Sequence, residues 1–392
     1  MSLQLINHSP DLKQLRDEGF EMEFKGGYLL IHQIPFVNHS KEIKRGTLVS
    51  VLDLANNEKT VKPSSHVIYF YGDYPCNKDG SPIEGIRHSS ANQKLADGIE
   101  VNHMFSNKPP NGYSNYFEKI SRYVEIISAP AKSINPSLTE KTFKVIIDET
   151  ENSCFKYIDT NSSRANIENI NSKLKKQKIA IIGLGGTGAY ILDLIAKAPV
   201  KEIHLFDGDN FLLHNAFRSP GAASISVLEK KQMKTDYYMD IYFNMHRFIY
   251  SHPYYLSEIN LEKLQSMSFV FICIDKDSVK KGIIEYLLSQ NISFVDVGLG
   301  VNVVDDKLIG TIRVTTGSNS KNDHLFNRIS CGDDLENEYS TNIQIAELNS
   351  INACLAVIKW KKMCGFYQDL KQEFNTTYTL NVSQLTNDDF AT

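Results

Sequence analysis

Residues 178–218 constrain the fold of this chain more than any other segment. An apolar run, 179–182, stops at a cluster of four glycines, and a helical pattern follows it. A second apolar run, 203–206, then ends in an acidic residue. A strand, a glycine turn, a helix and a second strand ending in an acid predict a nucleotide-binding βαβ unit. Its glycines and acid are Gly183, Gly185, Gly186, Gly188 and Asp207.

Each part of this unit has a physical reason to bind a nucleotide. Glycines let the backbone turn tightly and approach phosphates closely. The helix that follows presents free N–H groups and the positive end of its dipole to an anion. Asp207, at the tip of the second strand, can hold ribose hydroxyls. A glycine motif alone is typical of dinucleotide binding, so an NAD-dependent oxidoreductase is one alternative interpretation.

Four further residues extend the pattern beyond a dinucleotide motif. Asn215 and Arg218 follow Asp207, Lys234 opens the next helical pattern, and Asp275 ends the apolar run 269–274. In this order the elements resemble the ThiF/MoeB family, the bacterial relatives of ubiquitin-activating enzymes, over roughly residues 155–370. The resemblance implies binding of ATP and Mg²⁺, and adenylation of the C-terminal carboxylate of a ubiquitin-like or sulfur-carrier-like protein.

The resemblance also implies a role for each residue. Arg218 by its planar fork and Lys234 as a point charge suit phosphates, and Asn215 can donate to a phosphate oxygen. These three are the expected catalytic residues, with Asp275 as the Mg²⁺ ligand. Lys231 stays an alternative to Lys234, because both precede the same helical pattern.

A homodimer is a further implication of the resemblance. Family members carry an arginine upstream of the glycine turn that reaches the ATP bound by the neighbouring subunit. Arg164 lies in this region and is the expected cofactor-binding counterpart, with a surface arginine at a helix start as the alternative. Asp209, close after Asp207, is interpreted as a turn residue rather than a ligand.

The six cysteines are widely spread and form no C-x-x-C pair. Neither disulfides nor the structural zinc clasp of many family members is therefore expected. A full activating cycle would add a cysteine that takes the acyl group as a thioester. Cys331 is the catalytic candidate for this step, and Cys76 is its equivalent in the N-terminal part. Acidic neighbours of Cys331 disfavour a thiolate, so adenylation without a thioester is the alternative.

We expect an α/β protein with two domains. Residues 151–392 are predicted to form a ThiF-type adenylation domain, with a Rossmann-like, mostly parallel sheet and helices on both faces. Residues 1–150 are predicted to form a smaller α+β domain, reminiscent of a ubiquitin-conjugating domain. The patterns there predict a helix at 12–19, strands at 28–34, 47–54 and 67–71, a loop-rich region over 75–112, a closing helix at 116–127 and a connector at 129–142.

Two long helices are predicted in the second domain. One covers residues 227–245, and the other covers 343–363. The second helix is expected to pack on the core of the nucleotide domain through apolar residues on or near one face, namely Ile345, Leu348, Leu355 and Ile358.

The charge and hydropathy of the chain limit the kinds of partner that we expect. A net charge of −4 and a pI near 6.3 argue against general affinity for nucleic acid. No apolar run approaches the roughly 18 residues of a membrane span, and no basic-then-apolar leader begins the chain. A cytoplasmic protein is therefore expected, with a ubiquitin-like protein, a conjugating-type protein and a second copy of the chain as partners. The rival interpretation without catalysis is a nucleotide-binding scaffold in a ubiquitin-like pathway.

Overall fold

The computed structural model describes residues 3–55, 59–147, 153–274, 277–330 and 343–391. The chain divides into two units, Met1–Ile146 with Ser163–Ala165, and Ile147–Ser162 with Asn166–Thr392. Each unit has its own hydrophobic core. Among the described residues, no helix has both the length and the apolar character that crossing a bilayer requires.

A six-stranded antiparallel sheet forms the centre of the N-terminal unit. Its strand order is β1-β2-β3-β6-β8-β7, and a separate pair, β4 and β5, flanks it. Buried residues at helical spacing, including Tyr116, Ile120, Tyr123 and Ile127, place one face of the last helix in the core. The elements are α1 (Leu3–His8), α2 (Pro10–Asp17), β1 (Met22–Lys25), β2 (Tyr28–Val37), β3 (Ile43–Val51), β4 (Leu54–Ala55), β5 (Lys59–Thr60), β6 (Val67–Tyr71), β7 (Arg87–Ala96), β8 (Ile99–Ser106) and α3 (Tyr116–Ile134).

Two predictions for this unit were wrong. The region expected to be loop-rich contains the hairpin β7–β8. Strand β7 is an edge strand with mostly exposed, polar residues, so its sequence carries no apolar alternation that would reveal it. Helix α3 also continues past residue 127 and through Pro130, with Ala131 fully buried in the added turn.

The C-terminal unit confirms the predicted α/β fold class. Its sheet has the order β11-β10-β9-β12-β13-β14-β15-β16, in which the first five strands pair in parallel and the remaining pairs are antiparallel. The elements are α4 (Thr160–Arg164), α5 (Glu168–Asn171), β9 (Lys178–Ile182), α6 (Gly186–Ile195), β10 (Glu202–Phe206), α7 (Leu213–Ala216), α8 (Ile225–Glu229), α9 (Lys234–Tyr242), β11 (Ile249–His252), β12 (Phe269–Ile272), α10 (Asp277–Ser289), β13 (Ser293–Val304), β14 (Lys307–Gly317), α11 (Leu325–Arg328), α12 (Ala346–Met363), β15 (Glu373–Thr379) and β16 (Gln384–Phe390).

Helices cover both faces of this sheet. Buried residues of α6, α9 and α12 pack on one face, and those of α10 pack on the other. Parallel strands need crossover connections, and these crossovers supply the covering helices. The carboxyl ends of β9, β10, β12 and β13 therefore open at one edge of the sheet, where a ligand can enter.

The helix predicted over 227–245 is interrupted. Lys231 has φ +48°, a left-handed conformation that ends α8 and separates it from α9. The Asn210 amide donates to the Lys231 carbonyl at 2.7 Å, and the Lys234 N–H donates to the Asp209 carbonyl at 2.9 Å. These bonds anchor the break to the loop after β10, which fixes Lys234 as the first residue of a new helix.

The predicted core face of α12 was only partly correct: Leu348 is buried and Leu355 packs against the core, but Ile358 does not belong to the buried face. Ile358 is 42% exposed, whereas Asn352, Ala353, Ala356 and Trp360 are fully buried. These buried residues lie on one face at helical spacing, but two of the positions on that side of the helix carry asparagine. An apolar pattern therefore could not identify this face.

The observed buried face of α12 leads to a prediction about the stability of the fold. Trp360→Ala is expected to lower the free energy of unfolding by about 3–5 kcal/mol, because it leaves a cavity where the indole was buried. Ile358→Ala, on the same helix, is expected to change it by about 0.5 kcal/mol or less. Urea unfolding followed by circular dichroism measures both, and an equal or larger loss for Ile358→Ala would contradict the observed packing.

Candidate active site

The glycine turn lies at the carboxyl end of β9 and is closely packed. Gly183 has φ +88°, and a Cβ there would lie 2.6 Å from the Cys273 carbonyl oxygen. A Cβ on Gly188 would collide with the Gly183 carbonyl oxygen. On Gly185, in contrast, a Cβ would meet only the Gln344 side chain, at 3.9 Å. Gly183 and Gly188 thus allow close packing of the backbone, while Gly185 leaves space on the open side of the turn.

Asp207 joins this turn to the loop after β10. Its Oδ2 accepts from the Leu184 N–H at 2.7 Å and its Oδ1 from the Asp209 N–H at 2.8 Å. The residue is only 6% exposed. Bonds of this kind to a charged acceptor are stronger than those between neutral groups. Asp207 therefore has a structural task beside the one that the sequence predicted.

Lys234 faces the same two carboxylates. Its Nζ lies 2.7 Å from Asp209 Oδ2 and 3.5 Å from Asp207 Oδ2, with the side chain almost fully buried. Lys231 is exposed and lies outside the described lining of the cavity. Asp209 is thus the ion-pair partner of a buried lysine. The prediction that Asp209 is a turn residue did not include this role. The Asp-x-Asp spacing was the available signal.

Tyr255 completes this cluster, and nothing in the sequence indicated it. Its hydroxyl donates to Asp209 Oδ1, and its ring lies against Gly208, where a Cβ would approach ring atoms to 2.7 Å. The hydrogen bond to Asp209 raises the pKa of Tyr255 to about 12, so the phenol stays protonated and donating at neutral pH.

Arg218 and Asn215 occupy different positions. Arg218 lines the cavity, and its Nε has no hydrogen-bond partner among the described residues. Asn215 is buried, and its Oδ1 accepts from the Leu212 N–H at 2.8 Å at the start of α7. Its Nδ2 likewise has no described partner, but Asn215 lies outside the described lining. The structure therefore brings Arg218, and not Asn215, to the cavity.

Polar side chains of α12 and of the residues just before it form another wall that the sequence did not indicate. Asn349 accepts from the Thr187 hydroxyl at 2.9 Å and donates to the Arg218 carbonyl at 3.3 Å, so it supports both the start of α6 and the Arg218 loop. Asn352 donates to the Gly298 carbonyl at 3.1 Å. The only available signal was two asparagines spaced three residues apart on a helix.

These elements enclose a cavity of about 450 Å³. One part of its wall is charged or polar, with the glycine turn, both aspartates, Lys234 and Arg218. Another part is apolar and could cover a flat ring; it comprises Phe206, Leu256, Ile274, Val279, Ile283, Val297 and Leu299. Such a mixture of a large apolar surface and a few convergent polar groups is typical of ligand pockets.

The other predicted residues lie elsewhere. Asp275 and Cys331 are outside the described residues, although Cys273 and Ile274, just before Asp275, line the cavity. Arg164 belongs to the N-terminal unit, where its Nη1 donates to the Asp17 carbonyl at 3.2 Å. Within the described part of the chain, no cluster of three or more His, Cys, Asp or Glu residues is arranged to hold a metal ion.

Cys76 is poorly placed for a thioester. It is 1% exposed, and its thiol donates to the Tyr74 carbonyl at 3.3 Å. Burial raises the pKa of the Cys76 thiol, which disfavours the reactive thiolate.

Similar solved structures share low identity with this chain. Escherichia coli MccB in complex with MccA-N7isoASN is 17% identical, with a TM-score of 0.47, over 59% of this chain and 70% of MccB. PaaA is 18% identical, with a TM-score of 0.44, over 59% of this chain and 80% of PaaA.

Each match to a curated protein or to a family model covers only part of the chain. Ubiquitin-like modifier-activating enzyme 5 of Drosophila mojavensis is 24% identical over 152 residues, which is 36% of this chain and 38% of the enzyme. The same enzyme of Drosophila ananassae is 24% identical over 156 residues, again 38% of its length. Residues 10–160 match a domain of unknown function, DUF6791. The ThiF family model matches residues 161–357, which contain the glycine turn, Asp207, Arg218 and Lys234, and the chain belongs to the ThiF family.

Proposed function

We propose that the chain uses ATP to adenylate the C-terminal carboxylate of a ubiquitin-like or sulfur-carrier-like protein. The observation that carries this proposal is the meeting of the Lys234 ammonium, the Arg218 side chain and the glycine turn in one cavity. Membership of the ThiF family and the name of the fly relatives support the class of partner. We assign this activity to residues 151–392 and treat residues 1–150 as a separate domain.

The described residues suit the parts of ATP. Helix α6 begins at the glycine turn, so its free N–H groups and positive dipole end favour phosphate. Lys234 and Arg218 supply positive charge, and the Arg218 Nε, which has no hydrogen-bond partner among the described residues, supplies a donor. Asp207 retains lone pairs for ribose hydroxyls, and the apolar wall can cover the adenine ring.

In this reaction a carboxylate oxygen attacks the α-phosphorus of ATP, and pyrophosphate leaves with the electrons of the broken bond. The task of the protein is to hold two anions together and to offset the charge that builds up. Arg218 has no described carboxylate within ion-pair distance, so its charge is available for phosphate oxygens. Lys234 is held by Asp209, and phosphate oxygens would compete with that carboxylate for its ammonium.

Several finer assignments belong to the same proposal. Asp275 would hold Mg²⁺, and Asn215 would support the phosphate site through its buried amide. In a homodimer, Arg164 would reach the neighbouring subunit's ATP. Cys331 would take the acyl group if a thioester forms, with a conjugating-type protein as the next partner. Use of ATP would place the reaction in the cytoplasm.

ATP with Mg²⁺ is expected to stabilise the protein more than NAD at the same concentration. The reason is that two cationic side chains face the phosphate side of the cavity, and only a ligand of the folded state raises the unfolding temperature. Thermal unfolding of the full-length protein with each nucleotide measures this. A larger shift with NAD would favour the dinucleotide interpretation instead.

Lys234→Ala is expected to weaken ATP binding by about 10- to 100-fold, because a hydrogen bond to a charged group contributes about 1.5–3 kcal/mol. Lys231→Ala is the matched control, three residues away and outside the described lining, and should bind ATP like the wild type. Isothermal titration calorimetry distinguishes them. Loss of binding in Lys231→Ala alone would reassign the lysine.

Arg218→Ala is expected to slow partner-dependent pyrophosphate exchange by about 10²–10³-fold, by analogy with the deletion of one donor to a transition state.

Asp275→Ala should abolish pyrophosphate exchange, because without Mg²⁺ the triphosphate repels the incoming carboxylate. Cys331→Ala should keep exchange, since a thioester would form only after adenylation. Undiminished exchange in Arg218→Ala and Asp275→Ala would place the chemistry elsewhere.

A further inference from the structure

One wall of the cavity is not assigned to ATP or to the reacting carboxylate in the adenylation chemistry described above. We call it the amide wall; it consists of Gln344, Asn349 and Asn352, all of which line the cavity. Asn349 is 1% exposed and Asn352 is fully buried. Burying an amide costs free energy unless its donors and acceptors are bonded, so each polar atom of this wall needs a partner.

Asn349 is bonded at both ends of its amide. Its oxygen accepts from Thr187 and its nitrogen donates to the Arg218 carbonyl. A Cβ on Gly186 would collide with this amide, so the side chain is packed tightly against the glycine turn. These contacts explain Asn349 as a support for the phosphate side of the cavity.

Among the described residues, Asn352 is hydrogen-bonded at only one end of its amide. Its nitrogen donates to the Gly298 carbonyl, and because a carbonyl can only accept, this bond fixes the orientation of the amide. Its Oδ1 therefore remains an acceptor, and it has no hydrogen-bond partner among the described residues. The Gln344 Oε1 is a second buried acceptor without a described partner. Two acceptors in the cavity wall thus have no donor in the part of the chain that the structure describes.

The chemistry of these atoms selects a ligand. Carbonyl oxygens repel phosphate and carboxylate oxygens and attract N–H groups. The phosphates have Lys234 and Arg218, and the ribose has Asp207. A protein that is adenylated brings N–H donors next to its carboxylate, in the peptide bonds of its last residues.

We propose that the amide wall binds the C-terminal end of the acceptor protein, an inference that rests on the proposed function. Asn352 Oδ1 then accepts a hydrogen bond from the peptide N–H of the acceptor's terminal residue. Gln344 Oε1 supplies a second acceptor beside it. Asn352 is then a specificity-determining residue, and the substrate class is a peptide C-terminus rather than a small acid without this N–H. Leaving Asn352 unpaired is costly, so the discrimination arises from a buried acceptor that only the correct substrate satisfies.

Two stable mimics of an acyl-adenylate test this. One carries acetyl-glycyl-glycine on 5′-sulfamoyladenosine; in the other, glycolic acid replaces the terminal glycine, so that an ester oxygen replaces one N–H. Calorimetry should show that the wild type binds the amide mimic about tenfold tighter than the ester mimic. In Asn352→Leu the preference should fall to about twofold or less. Ile351→Ala, at the neighbouring and partly exposed position, is the control and should keep the preference.

Each other outcome has a defined meaning. Equal binding of both mimics by the wild type would overturn the inference and leave the proposed function standing. A preference that persists in Asn352→Leu would also overturn it, and weaker ATP binding there would assign the wall to the nucleotide. If Asn352→Leu does not fold, the ratio of the wild type's affinities for the two mimics tests the inference, and so does the same ratio in Gln344→Leu, which changes a half-buried position. Binding of neither mimic nor ATP would remove the proposed function and this inference together.

Discussion

The rest of the site depends on the two hydrogen bonds that the Asp207 carboxylate accepts. The carboxylate accepts one N–H from the glycine turn and one from the loop after β10, at 2.7 and 2.8 Å. These two segments follow neighbouring parallel strands, and no covalent link holds them in register at this edge of the sheet. Because the carboxylate is nearly buried, water competes weakly for these bonds. The position of the turn is thereby tied to the position of Asp209.

The charges around Asp207 follow from this connection. Asp209 is placed to pair with Lys234, and Tyr255 donates to the second oxygen of Asp209. Arg218 is held from the other side, through the bond between its carbonyl and the Asn349 amide. The two cationic side chains thus reach one cavity from different segments, the start of α9 and the residues after α7. Arg218 brings a charge that no described carboxylate neutralises, whereas Lys234 would have to exchange a carboxylate for a phosphate.

The sequence predicted the residues whose positions follow from local structure. The glycines, Asp207 and Lys234 lie at the ends of strands or helices that short-range patterns define, so their places in the fold could be inferred. Arg218 follows Asp207 in the connection between β10 and α8, just after α7, and it lines the cavity; its phosphate role stays a prediction.

Residues whose positions depend on tertiary packing could not be inferred. The buried face of α12 includes Asn349 and Asn352, which resemble surface residues until their partners at Thr187, Arg218 and Gly298 are known. Tyr255 is a partly exposed aromatic residue that acquires a role only through Asp209. The hairpin β7–β8 and the break before α9 were missed for related reasons, since exposed polar strands and single left-handed residues leave weak patterns.

The most direct test of the central claim compares ATP with adenosine, because the cavity is proposed to hold phosphates by the charges of Lys234 and Arg218. Isothermal titration calorimetry of the full-length protein, in the presence of Mg²⁺, gives both affinities. Two charge-assisted contacts predict that ATP binds at least about 100-fold tighter than adenosine. Equal affinities, or tighter binding of adenosine, would contradict the assignment of this cavity to a triphosphate.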